Sequence, residues 1–136
     1  MAKIFFDAAT NGNPGESCCA IIIKDDNNHH IYTHYIGLLD NHSAEWAAFI
    51  RALEYARELN VTNALLYTDS KLIEDAMLKD NVKNIKFKPY LDQVKILEPS
   101  FDLLFVKWIP REQNKEANHH AKNALYKITK TRAKKR

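Results

Sequence analysis

Two clusters of turn-forming residues, NGNPG at 11–15 and KDDNNHH at 24–30, cut the first part of the chain into three β-type runs, at about 3–9, 18–24 and 30–37. Gly, Asn, Asp and Pro at such density reverse the chain, and short reversals join neighbouring strands antiparallel. The remainder alternates. A helical pattern covers about 43–59, with DNHS at 40–43 offering N-caps. Then come a short apolar strand, ALLYT at 64–68, and a helix beginning near Ser70. A lysine-dotted connection at 79–89 and a short helix at 90–98 follow. A strand, FDLLFVKWI at 101–109, and a helix at 114–128 complete the pattern. Strands reached through helices pair in parallel. The expectation is an α/β fold: a five-stranded mixed sheet, its first three strands antiparallel, with helices on both faces. Ligands of such sheets lie beyond the carboxyl ends of the parallel strands.

The 136 residues fit one domain, with 46% hydrophobic and 27% charged residues, as in an ordinary folded chain. Residues 1–128 are assigned to that domain and 129–136 to a basic tail. The last ten residues, KITKTRAKKR, hold six Lys or Arg and no acid. Removing those six charges turns a net +3 into about −3 for residues 1–126. Such a run is ordinarily a solvated end; its functional reading is a phosphate-attracting arm. Lys79, Lys83, Lys86 and Lys88 form a second basic cluster. No apolar run nears the ~20 residues of a membrane span, and MAKIFFDAAT lacks a signal-peptide core. Cys18 and Cys19, being adjacent in a strand, point to opposite faces and do not pair with each other. A soluble, cytoplasmic protein is expected, with no membrane and no obligate protein partner.

Three carboxylates stand at the ends of elements that could converge at one edge of the sheet. Asp7 follows the apolar KIFF, and Asp69 ends ALLYT. Either alone also reads as a turn or helix-cap residue. Glu45 is harder to dismiss: on a helical wheel it falls among Ala48, Phe49, Ala52, Ala56 and Leu59, opposite Glu54 and Glu58. A carboxylate on an apolar face needs a partner, or a place past the end of the core. If the three acids converge at one sheet edge, they suit a hard cation such as Mg²⁺.

These residues lie in four blocks that resemble, in order, the ribonuclease H family of the type 1-like branch. The blocks are FFDAATNGNPGESCCAIII, NHSAEWAAFIRALEYA, LLYTDSKLIEDAM and VKWIPREQNKEAN, and they span nearly the whole chain. The resemblance implies hydrolysis of the RNA strand of an RNA–DNA hybrid with two Mg²⁺ ions, Mn²⁺ being a substitute. It implies that Asp7 bridges the ions and that Glu45 and Asp69 complete their coordination. Asn13, Asn41 and, more weakly, Ser70 match positions that contact the hybrid.

The chain departs from the family pattern at the fourth acid, where Asn118 stands, followed by His119 and His120. The wheel puts Asn118 about 75° from the centre of the stripe formed by Ala117, Ala121, Ala124, Leu125 and Ile128, on a flank that can reach a metal. His119 faces solvent and His120 reads as a packing residue. An amide oxygen ligates a hard cation but adds no negative charge, so the substitution lowers metal affinity. Two functions follow: a metal-dependent hybrid endoribonuclease weakened at Asn118, or a catalytically inactive nucleic-acid-binding protein on the same fold. A plain partner-binding domain leaves the three acids as coincidence.

Overall fold

The structure is a computed structural model that describes residues 1–134, with side chains through Thr131. Three long strands, β1 (Ala2–Gly12), β2 (Gly15–Asp25) and β3 (Asn28–Leu39), form the antiparallel meander. Then follow α1 (Asn41–Glu58), β4 (Asn63–Thr68), α2 (Lys71–Lys79), α3 (Lys88–Leu97), β5 (Leu103–Trp108) and α4 (Lys115–Lys134). The sheet order is β3-β2-β1-β4-β5, with β4 parallel to both β1 and β5. The expected mixed sheet is the observed one. Its strands run further than the sequence pattern suggested because the ladder continues to the turn residues, where Gly12 pairs with Gly15. A Cβ at Gly15 would lie 1.9 Å from the Asn11 carbonyl oxygen, so the second glycine of NGNPG is required by this close approach.

Alternation along the strands sorts the sheet into two faces. Ile4, Phe6, Cys19, Ile21, Ile23 and Leu66 pack with Trp46, Phe49 and Leu53 of α1 in the main core. The Phe6 and Phe49 rings stack at 5.3 Å, fixing α1 over the central strand. Cys18, Ala20 and Ile22 are buried on the other face, which α4 covers through Ala117 and Ala121. The helices therefore occupy both faces, and the chain is long enough to close a core between two layers.

The two thiols are free and fully buried. Burial pushes the Cys19 thiol up to about 12, and Cys18 is raised for the same reason. Alkylation proceeds through the thiolate. Maleimide is expected to leave both cysteines unlabelled in the native protein and to label both in urea, as read by intact mass.

Helix boundaries follow local chemistry. Asp40 is the N-cap of α1, accepting the Ser43 N–H at 3.2 Å and the Lys86 ammonium at 2.8 Å. Burial raises its carboxyl, but those two donors outweigh burial and hold it well below the usual carboxylate range. Pro89 sits in the first turn of α3, where its missing N–H costs nothing. The last helix differs most from expectation. It does not stop at 128 but runs to Lys134, so 129–134 of the segment read as a tail are helical. No Gly or Pro interrupts that stretch, and cations suit a helix C-terminus. Residues 135–136 of the assigned tail lie outside the described residues. Among the described residues no helix is long and apolar enough to cross a membrane.

Candidate active site

The parallel register builds the site. Phe5 of β1 stands level with Tyr67 of β4, so Asp7 and Asp69, each two residues on, emerge side by side at the carboxyl edge. Strand β1 continues past this point while β4 ends, and the chain turns into α2 through Ser70. Asp7 lies on the α4 face, opposite Ala20 in the ladder. Asn118, in the first turn of α4, meets it there: its amide Nδ2 donates to Asp7 Oδ2 at 2.8 Å. An ionised carboxylate only accepts, which fixes the amide nitrogen toward it. The helical flank assigned to Asn118 is thus the flank that touches the acid.

Asp7 is 7% exposed. Burial, reinforced by the neighbouring Asp69 charge, raises its carboxyl to about 6; Asn118, the Ala8 N–H and Arg111 pull in the other direction without cancelling it. Nearby donors therefore compensate this buried charge only partly.

Asp7, Glu45 and Asp69 line one cleft of about 690 Å³, together with Thr10, Asn41, His42, Trp108 and Arg111. Glu45 is not in the core, although the wheel placed it on the apolar stripe. Its side chain is 25% exposed and lies 3.4 Å from His42 Nδ1. The apolar neighbours on its wheel, Ala48, Phe49, Ala52 and Ala56, are buried as expected. No three His, Cys, Asp or Glu side chains among the described residues stand close enough to enclose one metal ion. Membership of one cleft and enclosure of one ion are different tests. The donor set passes the first: it is all oxygen, it is negative, and its central member carries uncompensated charge, as a hard divalent cation requires.

The three polar residues expected at the nucleic-acid surface are distributed unequally. Asn41 lines the cleft, its Oδ1 accepting the Thr10 hydroxyl at 2.6 Å. Asn13 is exposed and does not line it; its Oδ1 accepts the Asn41 N–H at 2.9 Å, tying the β1–β2 turn to the start of α1. Ser70 is buried and caps α2, accepting the Ile73 N–H at 3.3 Å. That bond uses one lone pair of its hydroxyl and leaves the O–H as a donor. His119 is exposed and His120 half-buried, and their rings lie edge to face at 5.4 Å.

Sequence reasoning missed the residues that hold these acids. Asn114, 1% exposed, donates from Nδ2 to the Phe6 carbonyl at 2.9 Å and to Asp69 Oδ2 at 3.3 Å. One amide thus links the strand carrying Asp7 to the carboxylate of β4. Trp108 Nε1 donates to the Asp69 carbonyl at 3.1 Å, the Trp108 N–H donates to Glu74 at 2.7 Å, and the Lys71 ammonium lies 4.2 Å from the indole centroid. The only sequence signal for Asn114 was an uncharged polar residue directly before a helix. Asn114→Ala leaves a buried carbonyl and a carboxylate without this donor. It is expected to cost roughly 2–4 kcal/mol in urea unfolding.

Comparison with known proteins agrees with this geometry. Residues 5–124 match the model of a family described as reverse transcriptase-like. A protein of Enterococcus faecalis that carries the name of a hydrolase, EbsB, is 40% identical over 131 residues, covering 94% of this chain and 96% of that one. The ribonuclease H1 of the halophilic archaeon Halobacterium salinarum superposes with a TM-score of 0.86 at 26% identity, over 93% of this chain and 98% of that one. LC11 ribonuclease H1, solved in complex with an RNA/DNA hybrid, superposes at 0.79 with 28% identity, over 88% and 92% of the two chains. The five-stranded sheet, the ordered motifs and these matches agree: the chain belongs to the ribonuclease H family.

Proposed function

We propose that this ribonuclease H-like chain hydrolyses the RNA strand of RNA–DNA hybrids with two Mg²⁺ ions, Mn²⁺ serving as a substitute. The observation that carries the reading is the convergence of Asp7, Glu45 and Asp69 on one cleft, with Asn118 in contact with Asp7. The hybrid bound to the LC11 structure supports the substrate class. Bound cations supply an activated water and stabilise the leaving oxygen. Asp7, Glu45 and Asp69 are the residues that would hold them, with Asn118 contributing its amide oxygen after a half-turn about its terminal torsion. Asn114 and Trp108 keep Asp69 in place for that task, and Arg111, lining the cleft, offers a cation to the substrate phosphate. Asn41 and Asn13 form the adjoining polar surface, Asn41 facing the strand and Asn13 bracing Asn41. A preference for RNA arises from the 2′-OH, which proteins use to tell RNA from DNA.

One observation favours a second reading on the same fold. The Asn118 amide donates to Asp7 at the position where the family pattern has a fourth acid, as suits a catalytically inactive hybrid-binding protein. Strand-specific cleavage decides between them. With an end-labelled hybrid in Mg²⁺ or Mn²⁺, internal cuts are expected in the RNA strand alone, and none in an all-DNA duplex. Retention of the hybrid without cuts in either metal would instead assign the binding role.

A further inference from the structure

The cleft does not end at the carboxylates. It continues past Ala9, Thr10 and Asn11 of β1 to a face of α4 lined by Lys122, Leu125, Tyr126 and Thr129. Lys122, Tyr126 and Thr129 are four and then three residues apart, a spacing that aligns them on one side of a helix. Tyr126 is 60% exposed. The Thr129 hydroxyl donates to the Tyr126 carbonyl at 3.0 Å, and the Lys130 ammonium stands 5.8 Å from the Tyr126 ring centroid. All three acids of the cleft are Asp7, Glu45 and Asp69; its α4 wall adds one cation, one aromatic ring and no acid.

This division of charge has a physical consequence. A polyanionic strand is repelled by three carboxylates, so its affinity must come from cations and stacking surfaces elsewhere along its path. Asn118 stands one helical turn before Lys122 and touches Asp7, so the α4 wall begins at the acids. From Asn118 to Thr129 the helix advances about 16 Å at ~1.5 Å per residue. That is the axial length of roughly five nucleotides at ~3.4 Å each.

We propose that the Lys122–Tyr126–Thr129 face of α4 is a binding track for one nucleic-acid backbone, engaging the nucleotides that flank the one held at the carboxylates. The track rests on the ribonuclease H reading and extends it to α4. Lys122 meets a phosphate, and Tyr126 offers its exposed ring to a sugar or base, a contact tolerant of sequence. The helix that supplies Asn118 to the acids thereby also sets the register of the strand.

The test is hybrid affinity of the full chain by fluorescence anisotropy in EDTA, where cleavage is off. The variants are Lys122→Glu, Lys122→Gln, Tyr126→Ala and, as a control, Lys127→Glu. Lys127 is exposed on the same helix but about 140° around it from Lys122. Its variant changes net charge by the same amount as Lys122→Glu. Lys122→Glu is expected to raise Kd at least tenfold, Lys122→Gln and Tyr126→Ala several-fold, and Lys127→Glu less than about twofold. Equal losses for Lys122→Glu and Lys127→Glu, with wild-type binding intact, would overturn the track and leave only a general basic field. Unchanged binding in all variants would overturn it too. A wild type that binds no hybrid defeats the ribonuclease H reading along with the track. Since all three positions are exposed, melting curves separate lost binding from lost structure.

Discussion

Asp7→Asn is expected to abolish hybrid cleavage and, in the same molecule, to make the metal-free protein more stable. The loss of activity should reach at least about 10²-fold, the scale for removing one preorganised electrostatic group from a reacting centre. The gain in stability has a separate cause. Asp7 is buried beside Asp69, and its carboxyl is raised from 3.8 to about 6. A carboxyl whose folded pKa is raised binds its proton more tightly in the folded state than in the unfolded one. The contribution of Asp7 to stability is therefore most favourable below about pH 4 and is lost as pH rises through about 6. At neutral pH the full penalty is present, about 3 kcal/mol at ~1.4 kcal/mol per unit as an upper figure. Asparagine removes the charge and keeps the shape. Urea unfolding in EDTA at pH 7 should show a gain of roughly 1–3 kcal/mol, and the gain should vanish near pH 4. A variant that loses activity and stability together would mean that Asp7 is simply a structural residue.

The second large effect is expected at Asn118. Replacing it by Asp removes the 2.8 Å donor to Asp7 and sets a third carboxylate beside Asp7 and Asp69. In EDTA this should cost about 1.5–3 kcal/mol, the scale of a hydrogen bond to a charged group. With a divalent cation the sign reverses, because the added charge becomes a ligand. The concentration of Mg²⁺ or Mn²⁺ giving half-maximal thermal stabilisation should fall about tenfold or more, by the scale of changes in a metal's surroundings. Melting with and without metal therefore reads the role of position 118 without depending on turnover. If Asn118→Asp melts identically in both buffers, the position takes no part in metal binding.

The parts of this molecule that were legible in its sequence are those governed by local chemistry. Turn residues at 11–15 and 24–30 cut the meander where the hairpins lie, and the helix periodicity put Ala48, Phe49, Ala52 and Ala56 in the core. The flank of Asn118 was readable because one turn of helix determines it. Glu45 shows the limit of a wheel: it reports direction around an axis, not the exposure of a side chain at that angle. The wheel therefore gave the right face and too much burial. The helix start at Asp69 and Ser70 was legible as a cap from residue type, and Ser70 is the residue that supplies it. Asn114 was invisible for the opposite reason. Its two partners, Phe6 and Asp69, lie 108 and 45 residues away, and only the assembled sheet brings them to one amide. The basic C-terminal run was read as a tail because its charge is what sequence shows; its helicity through Lys134 continues an uninterrupted α4.

Cleavage of a labelled RNA–DNA hybrid in Mg²⁺ and in Mn²⁺ by three proteins, wild type, Asn118→Asp and Asp7→Asn, tests the central claim most directly. The predicted result is RNA-strand cleavage by the wild type, the same products at lower metal concentration for Asn118→Asp, and none for Asp7→Asn. Failure of the wild type to cut, with the fold intact and either metal in excess, would contradict it, and cuts by Asn118→Asp alone would assign the wild type the binding role.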